Sequence, residues 1–159
     1  MKWLEGRKDE KGLATPYLSA ALAATEGRPE LARSRAMLQV DHALRIEKDR
    51  EKAFGLKVAS MKDGWKEDAA GLNEVAWWCF ENDVRLEEGE ELARRGVELA
   101  SEPGVKANIL DTLAELCNAR GNCPQAVVYI RQAVELAPER EYFKKQLERF
   151  ETLAAATAN

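Results

Sequence analysis

The chain has 159 residues, enough for one domain or a short solenoid with a real hydrophobic core. Apolar residues make up 45% and charged residues 33%, and Ala, Leu, Glu, Lys and Arg dominate, so the composition favours helix and leaves little for sheet. The net charge of −4 without a dense basic stripe argues against nucleic acid as the partner, and no run is apolar and long enough to insert in a membrane.

Residues 1–12 are mostly charged and read as a flexible or loosely packed N-terminus, with Trp3 and Leu4 tucked against the body. The stretch is too polar for the apolar region of a signal peptide, so the chain, taken as complete, is expected in the cytoplasm. Residues 14–26 predict a first helix with Tyr17, Leu18, Ala21 and Leu22 on its apolar side; Gly27-Arg28-Pro29 ends it. A second helix runs from Pro29 to about Glu47, with Leu31, Met37, Leu38, Val40 and Leu44 as candidates for burial. Residues 50–61 add Phe54, Val58 and Met61. Residues 62–70 read as a linker in which Trp65 packs down as an anchor.

The rest is organised around residues 105–138, VKANILDTLAELCNARGNCPQAVVYIRQAVELAP. Leu110, Leu113, Ala114 and Cys117 share one face of a first helix by their three- and four-residue spacing. Gly121 suits the left-handed residue that closes a helix, and Pro124 suits the first turn of the next one. Ala126, Val127, Ile130, Ala133, Val134 and Leu136 form the second apolar face. Residues 71–100 carry the same order: Leu72, Ala76 and Cys79 match Leu110, Ala114 and Cys117. After one extra residue in the turn, Gly89 and Gly96 match Ala126 and Ala133. A degenerate copy lies at 30–61, with Ala53 and Ser60 at the two small positions. Beyond Pro138, a last helix over 140–156 has Tyr142, Phe143, Leu147, Phe150 and Leu153 at helical spacing, and the tail from 154 is expected to fray.

This order of small, apolar and proline positions resembles the tetratricopeptide repeat (TPR). The resemblance implies an all-α, right-handed, TPR-like stack of about three helical hairpins, with an N-terminal helix and a C-terminal capping helix, in one domain over 13–159. In such stacks the first helix of each hairpin lines the concave side. Carried over residue by residue, that surface holds Arg35, Leu38, His42 and Arg45 from the first copy, and Asn73, Trp77 and Phe80 from the second. The third copy contributes Asn108, Asp111, Glu115 and Asn118. The groove would grade from basic through aromatic to acidic and take a protein or peptide partner, with Trp77 and Phe80 as anchors.

Plainer readings stand beside these. Of Trp77 and Trp78, at least one ring belongs in the core, and spacing selects Trp78. Asp111 and Glu115 sit at i and i+4, a pattern more often a solvated acidic face than a working carboxylate pair. His42 reads as a surface or groove side chain, because no catalytic partner is recognisable beside it in the sequence. Cys79 and Cys117 read as small core residues; Cys117 and Cys123 are either free buried thiols, which the odd count of three favours, or a disulfide. No phosphate loop, nucleophile elbow, zinc-protease helix or C-x-x-C is present, so a non-catalytic chain without cofactor or metal is expected.

The strings LNEVAWW (72–78) and ILDTLA (109–114) resemble the C-terminal helical region of bacterial thioredoxin-like (redoxin) proteins, in which TPR-like repeats follow a thioredoxin domain. The resemblance spans residues 40–150 and implies an accessory module without redox activity, located in the periplasm or elsewhere outside the cytoplasm if the chain is a fragment of such a protein. Three functions follow: a protein-binding module; a structural or dimerisation segment, forming a homodimer through an apolar end surface; and, ranked last, a hydrolytic enzyme using Asp111, Glu115 and His42.

Overall fold

The Ala-, Leu- and Glu-rich segments, bounded by Gly, Pro and Asp, form eight α-helices and no strand among the residues described by the computed structural model, 15–157. The expectations for Trp3 and Leu4 fall outside that range. The chain divides into two compact units, Met1–Lys62 and Asp63–Asn159, at the start of the linker read at 62–70.

The first unit contains α1 (Thr15–Ala24), α2 (Ala32–Arg45) and α3 (Arg50–Ala59), and α2 packs on both of its neighbours. A 3-10 turn at Pro29–Leu31 leads into α2. The turn into α3 uses Lys48 at φ +59, then Asp49, whose carboxylate accepts the Lys52 backbone N–H at 2.9 Å and caps the helix. Leu18, Val40, Ala43, Ala53 and Phe54 are buried. Tyr17 and Met37, both expected to be buried, are 73% and 63% exposed. The buried positions are Leu18 on α1, with Thr25 in the turn just after it, and Val40 and Ala43 on α2. Tyr17 lies one residue, about 100° of helix, away from Leu18, and Met37 is turned aside by the same angle from Ala36, which continues the stripe of Val40 and Ala43.

The second unit contains α4 (Ala69–Asn82), α5 (Leu86–Leu99), α6 (Pro103–Ala119), α7 (Cys123–Leu136) and α8 (Glu141–Thr157). Each packs on the next, and α4 also packs on α6. Two turns are built alike. Asp83 at φ +54 and Gly121 at φ +84 close α4 and α6 in the left-handed conformation. The following N–H groups reach back five residues, Val84 to the Cys79 carbonyl at 3.0 Å and Asn122 to the Cys117 carbonyl at 2.9 Å. The extra residue of the first turn is absorbed at Arg85, which takes φ +45. The tail expected to fray from 154 instead continues α8 as far as Thr157.

Small residues set how closely these helices approach. A Cβ at Gly89 would lie 2.9 Å from Cys79 Cβ and 3.2 Å from Leu116 Cδ2, so α5 touches α4 and α6 through a missing side chain. At Gly96 the nearest atom would be Ile109 Cγ2, at 3.3 Å. Ala126 and Ala133, the matching positions on α7, are fully buried. Around these contacts lie Leu110, Leu113, Leu116, Cys117, Ile130, Phe143 and Phe150 in one core. Trp77, not Trp78, packs against that core, and Phe80, expected as a groove anchor, is itself buried within it.

Two glycine substitutions are expected to act in opposite directions. Gly55, inside α3, has open space where a Cβ would go, so Gly55→Ala is expected to stabilise by about 0.5–1 kcal/mol through helix propensity. Gly89→Ala gains the same propensity but must push Cys79 and Leu116 apart, and a net loss of about 1–3 kcal/mol is expected. Urea unfolding of both variants measures the difference.

Candidate functional site

The acidic face of α6 is not open. Its polar residues Asn108, Asp111 and Glu115 meet a row of donors on α8 and on Arg140, the residue just before it. Arg140 Nη1 donates to Asn108 Oδ1 at 2.7 Å, and Tyr142 OH donates to Asp111 Oδ2 at 3.1 Å. Gln146 Nε2 donates to Glu115 Oε1 at 3.0 Å and to Tyr142 OH at 2.9 Å, and Arg149 forms an ion pair with Glu115. Asp111 is 7% exposed and Glu115 3%. Both were expected to be open, as groove residues or as a plain solvated face; α8 covers them. Tyr142, grouped in the sequence with the apolar positions of the last helix, is 48% exposed and instead shares a polar row with Gln146 and Arg149 at i, i+4 and i+7; nothing in the sequence says which helix that row meets.

The same helix is anchored by Phe143 and Phe150, both essentially fully buried. Truncating one such ring costs about 3–5 kcal/mol, against about 0.5–1.5 kcal/mol for a typical hydrogen bond. The rings therefore hold α8 in place, and the polar row follows.

Burial dominates the chemistry of Asp111 and pushes its carboxyl up to about 6, with the neighbouring Glu115 charge adding and the Tyr142 hydrogen bond opposing. Its Oδ1 is buried without a hydrogen-bond partner among the described residues. Burial, then Asp111, likewise pushes the Tyr142 hydroxyl up to about 12. Glu90, on α5, behaves in the opposite way. Burial would raise it, but hydrogen bonds from Arg94 and Arg120 prevail and hold it below its ordinary value. Cys117 is raised to about 11, by burial first and then by Glu90, so it stays a thiol and a poor nucleophile. Cys79, Cys117 and Cys123 are all buried thiols that form no disulfide among the described residues, and the Cys123 thiol donates to Asn118 Oδ1 at 3.2 Å.

The remaining candidates fall as follows. Asn73 and Trp77 are half-buried on α4, and the Trp77 ring lies 5.1 Å from that of Phe80. In the first unit, Leu38 is half-buried, Arg35 donates to Thr25 Oγ1 at 3.4 Å, and Arg45 pairs with Asp41 at 3.3 Å. His42 has two side-chain partners that sequence reading missed. Its Nε2 lies 3.2 Å from Ser19 Oγ, and its Nδ1 lies 3.1 Å from Glu47 Oε1. Neither partner is at a spacing from His42 that marks a motif. Among the described residues no group of three or more His, Cys, Asp or Glu side chains is placed to hold a metal ion, and no helix is long and apolar enough to cross a membrane. No protein-family model matches the chain, and no curated protein matches it.

A pH dependence follows from Asp111. Its carboxyl takes up its proton at about 6 in the fold, against 3.8 as the ordinary value. Between those values the folded state binds more protons than the unfolded one, so this group's contribution to stability falls as pH rises through the window. Above pH 6 the penalty is complete, at most about 3 kcal/mol. Asp111→Asn removes it while keeping an acceptor for Tyr142. The variant is expected to be more stable than wild type at pH 7, with the advantage shrinking towards zero near pH 4. Thermal unfolding of the pair across that range checks the sign. Glu90→Ala is expected to do the reverse, costing about 1–3 kcal/mol at pH 7 by leaving Arg94 and Arg120 without their shared partner.

Proposed function

We propose that the chain is a protein–protein interaction module built as a TPR-like stack of helical hairpins. The observation that carries this reading is the recurrence of small residues at matched positions, Gly89 and Gly96 on α5 and Ala126 and Ala133 on α7, each buried at a helix crossing. The alike turns after α4 and α6 support it. The redoxin-like strings within α4 and α6 favour an accessory role beside a thioredoxin-like domain. Within the second unit, with Asp111 and Glu115 under α8 and Phe80 in the core, the docking surface is reduced to Asn73 and Trp77 on α4 and Asn108 and Asn118 on α6.

A second reading, self-association, draws on a separate feature. A groove of about 460 Å³ between α7 and α8 is lined by Pro124, Val127, Val128 and Ala154, with the Arg131–Glu151 ion pair at its edge. Val128, 47% exposed, makes it a usable apolar contact.

One experiment separates the two. A photo-crosslinking amino acid is placed at 77, at 128 and, as a control, at the exposed turn residue 139. The docking reading expects a discrete heterologous adduct from position 77, absent from 139, and at least tenfold weaker binding of the purified partner by Trp77→Ala with unchanged circular dichroism. Equal adducts from 77 and 139 would sink it. Self-association expects an adduct of twice the chain mass from position 128, and a monomer in light scattering after Val128→Glu.

A further inference from the structure

His42 is the single histidine of the chain, and it sits between a hydroxyl and a carboxylate. Glu47 is bound on its other oxygen by Lys52, whose Nζ donates to Oε2 at 2.6 Å. That hydrogen bond, with a smaller one from His42, holds the Glu47 carboxyl below its ordinary value, so it is ionised at neutral pH. An ionised carboxylate can only accept. The His42 nitrogen facing it, Nδ1, therefore carries the proton. In a neutral imidazole the other nitrogen, Nε2, is then the acceptor, and the Ser19 hydroxyl must be its donor. The tautomer is thus fixed by chemistry, and it points the basic nitrogen at the serine.

Three elements of the first unit assemble this chain of contacts. Ser19 is on α1, His42 is near the end of α2, and Glu47 is in the turn that follows, tied to Lys52 on α3. The His42 side chain is 21% exposed and that of Glu47 34%, while Ser19 is exposed. The hydroxyl is open to a reagent and to water, and the base beneath it is partly shielded.

We infer that Ser19 is an activated nucleophile, with His42 as its general base and Glu47 as the positioning residue, and that it accepts acyl groups from activated esters. Ser19 Oγ attacks the ester carbonyl carbon while its proton passes to His42 Nε2. The C–O bond to the leaving alcohol breaks, and the alcohol departs with that proton. A water then attacks the acyl-serine, giving a proton to Nε2; the carboxylic acid leaves, and Ser19 regains its proton. Ser19 is the fifth residue of α1, so its backbone N–H and those that follow it are committed to the helix's own carbonyls. The oxyanion receives no backbone donor from that segment, so the class of substrate is restricted to esters with a good leaving group. The inference goes beyond the docking reading and uses none of the residues on α4 and α6 that carry it.

The test uses the full chain and p-nitrophenyl acetate, reading nitrophenolate release and the site of acetylation by peptide mass mapping. Acetyl on Ser19, with its rate falling by roughly 10²-fold or more in His42→Gln, is the expected result. Ser19→Ala should abolish that adduct while circular dichroism is unchanged, since the side chain is exposed. If His42 alone attacks the ester, release survives Ser19→Ala and the inference falls. It also falls if Ser19 is not acetylated, or if His42→Gln leaves its acetylation rate unaltered. A second readout is independent of activity. The imidazole ¹⁵N resonances of the lone histidine in its neutral form should show a protonated Nδ1 and an unprotonated Nε2, and Glu47→Gln should shift the Nδ1 signal. The opposite tautomer in the wild-type chain would overturn the assignment of roles.

Discussion

The second unit depends on how near its helix backbones can come. At Gly89 the gap between α5 and its neighbours is too small for a methyl group, since Cys79 Cβ would stand 2.9 Å from it. Close approach brings Ile109, Leu113, Leu116 and Ile130 into one contiguous core, in which nearly every large side chain is fully buried. A core of this density is sensitive to single methylene changes. The glycine cost in helix propensity, about 1 kcal/mol each, is offset by that packing.

The same packing decides the fate of the polar residues. Once Phe143 and Phe150 seat α8 on this core, the acidic row of α6 has no access to bulk water. It must find partners on α8 or remain unsatisfied. Glu115 finds Gln146 and Arg149. Asp111 finds Tyr142 for one oxygen and no partner among the described residues for the other, and burial raises its proton affinity. Glu90 shows the alternative outcome: two guanidinium groups on a buried carboxylate reverse the effect of burial. Two acidic residues of one core thus respond to pH with opposite sign, and the count of cationic partners explains it.

The first unit is organised by its turn after α2, not by close helix contact. Glu47 in that turn gathers His42 and Lys52, and α1 brings Ser19 over the far nitrogen of the imidazole. A single histidine is chemically unremarkable in isolation. Its character comes from having an acceptor-only group on one side and a hydroxyl on the other.

Much of the helical layout was legible in the sequence, because it rests on local rules. Periodicity placed the helices, Gly121 and Pro124 placed a turn, and the matched spacing of Gly89, Gly96, Ala126 and Ala133 marked where side chains had to be small. The exposure of Tyr17 and Met37 was missed because a one-residue error in choosing the apolar stripe rotates a side chain by about 100°. The candidate site was less legible. Asn73 and Trp77 keep partial exposure, but Phe80, Asp111 and Glu115 do not, since their burial depends on neighbouring helices. The Ser19–His42 contact joins residues 23 positions apart, and no local pattern encodes it. The sequence by itself determined the helices, their ends and the positions that had to be small, since these follow from backbone geometry within a few residues. The tertiary structure alone decided which polar groups lost water and which met, because desolvation and hydrogen bonding between distant segments exist only once the helices have packed.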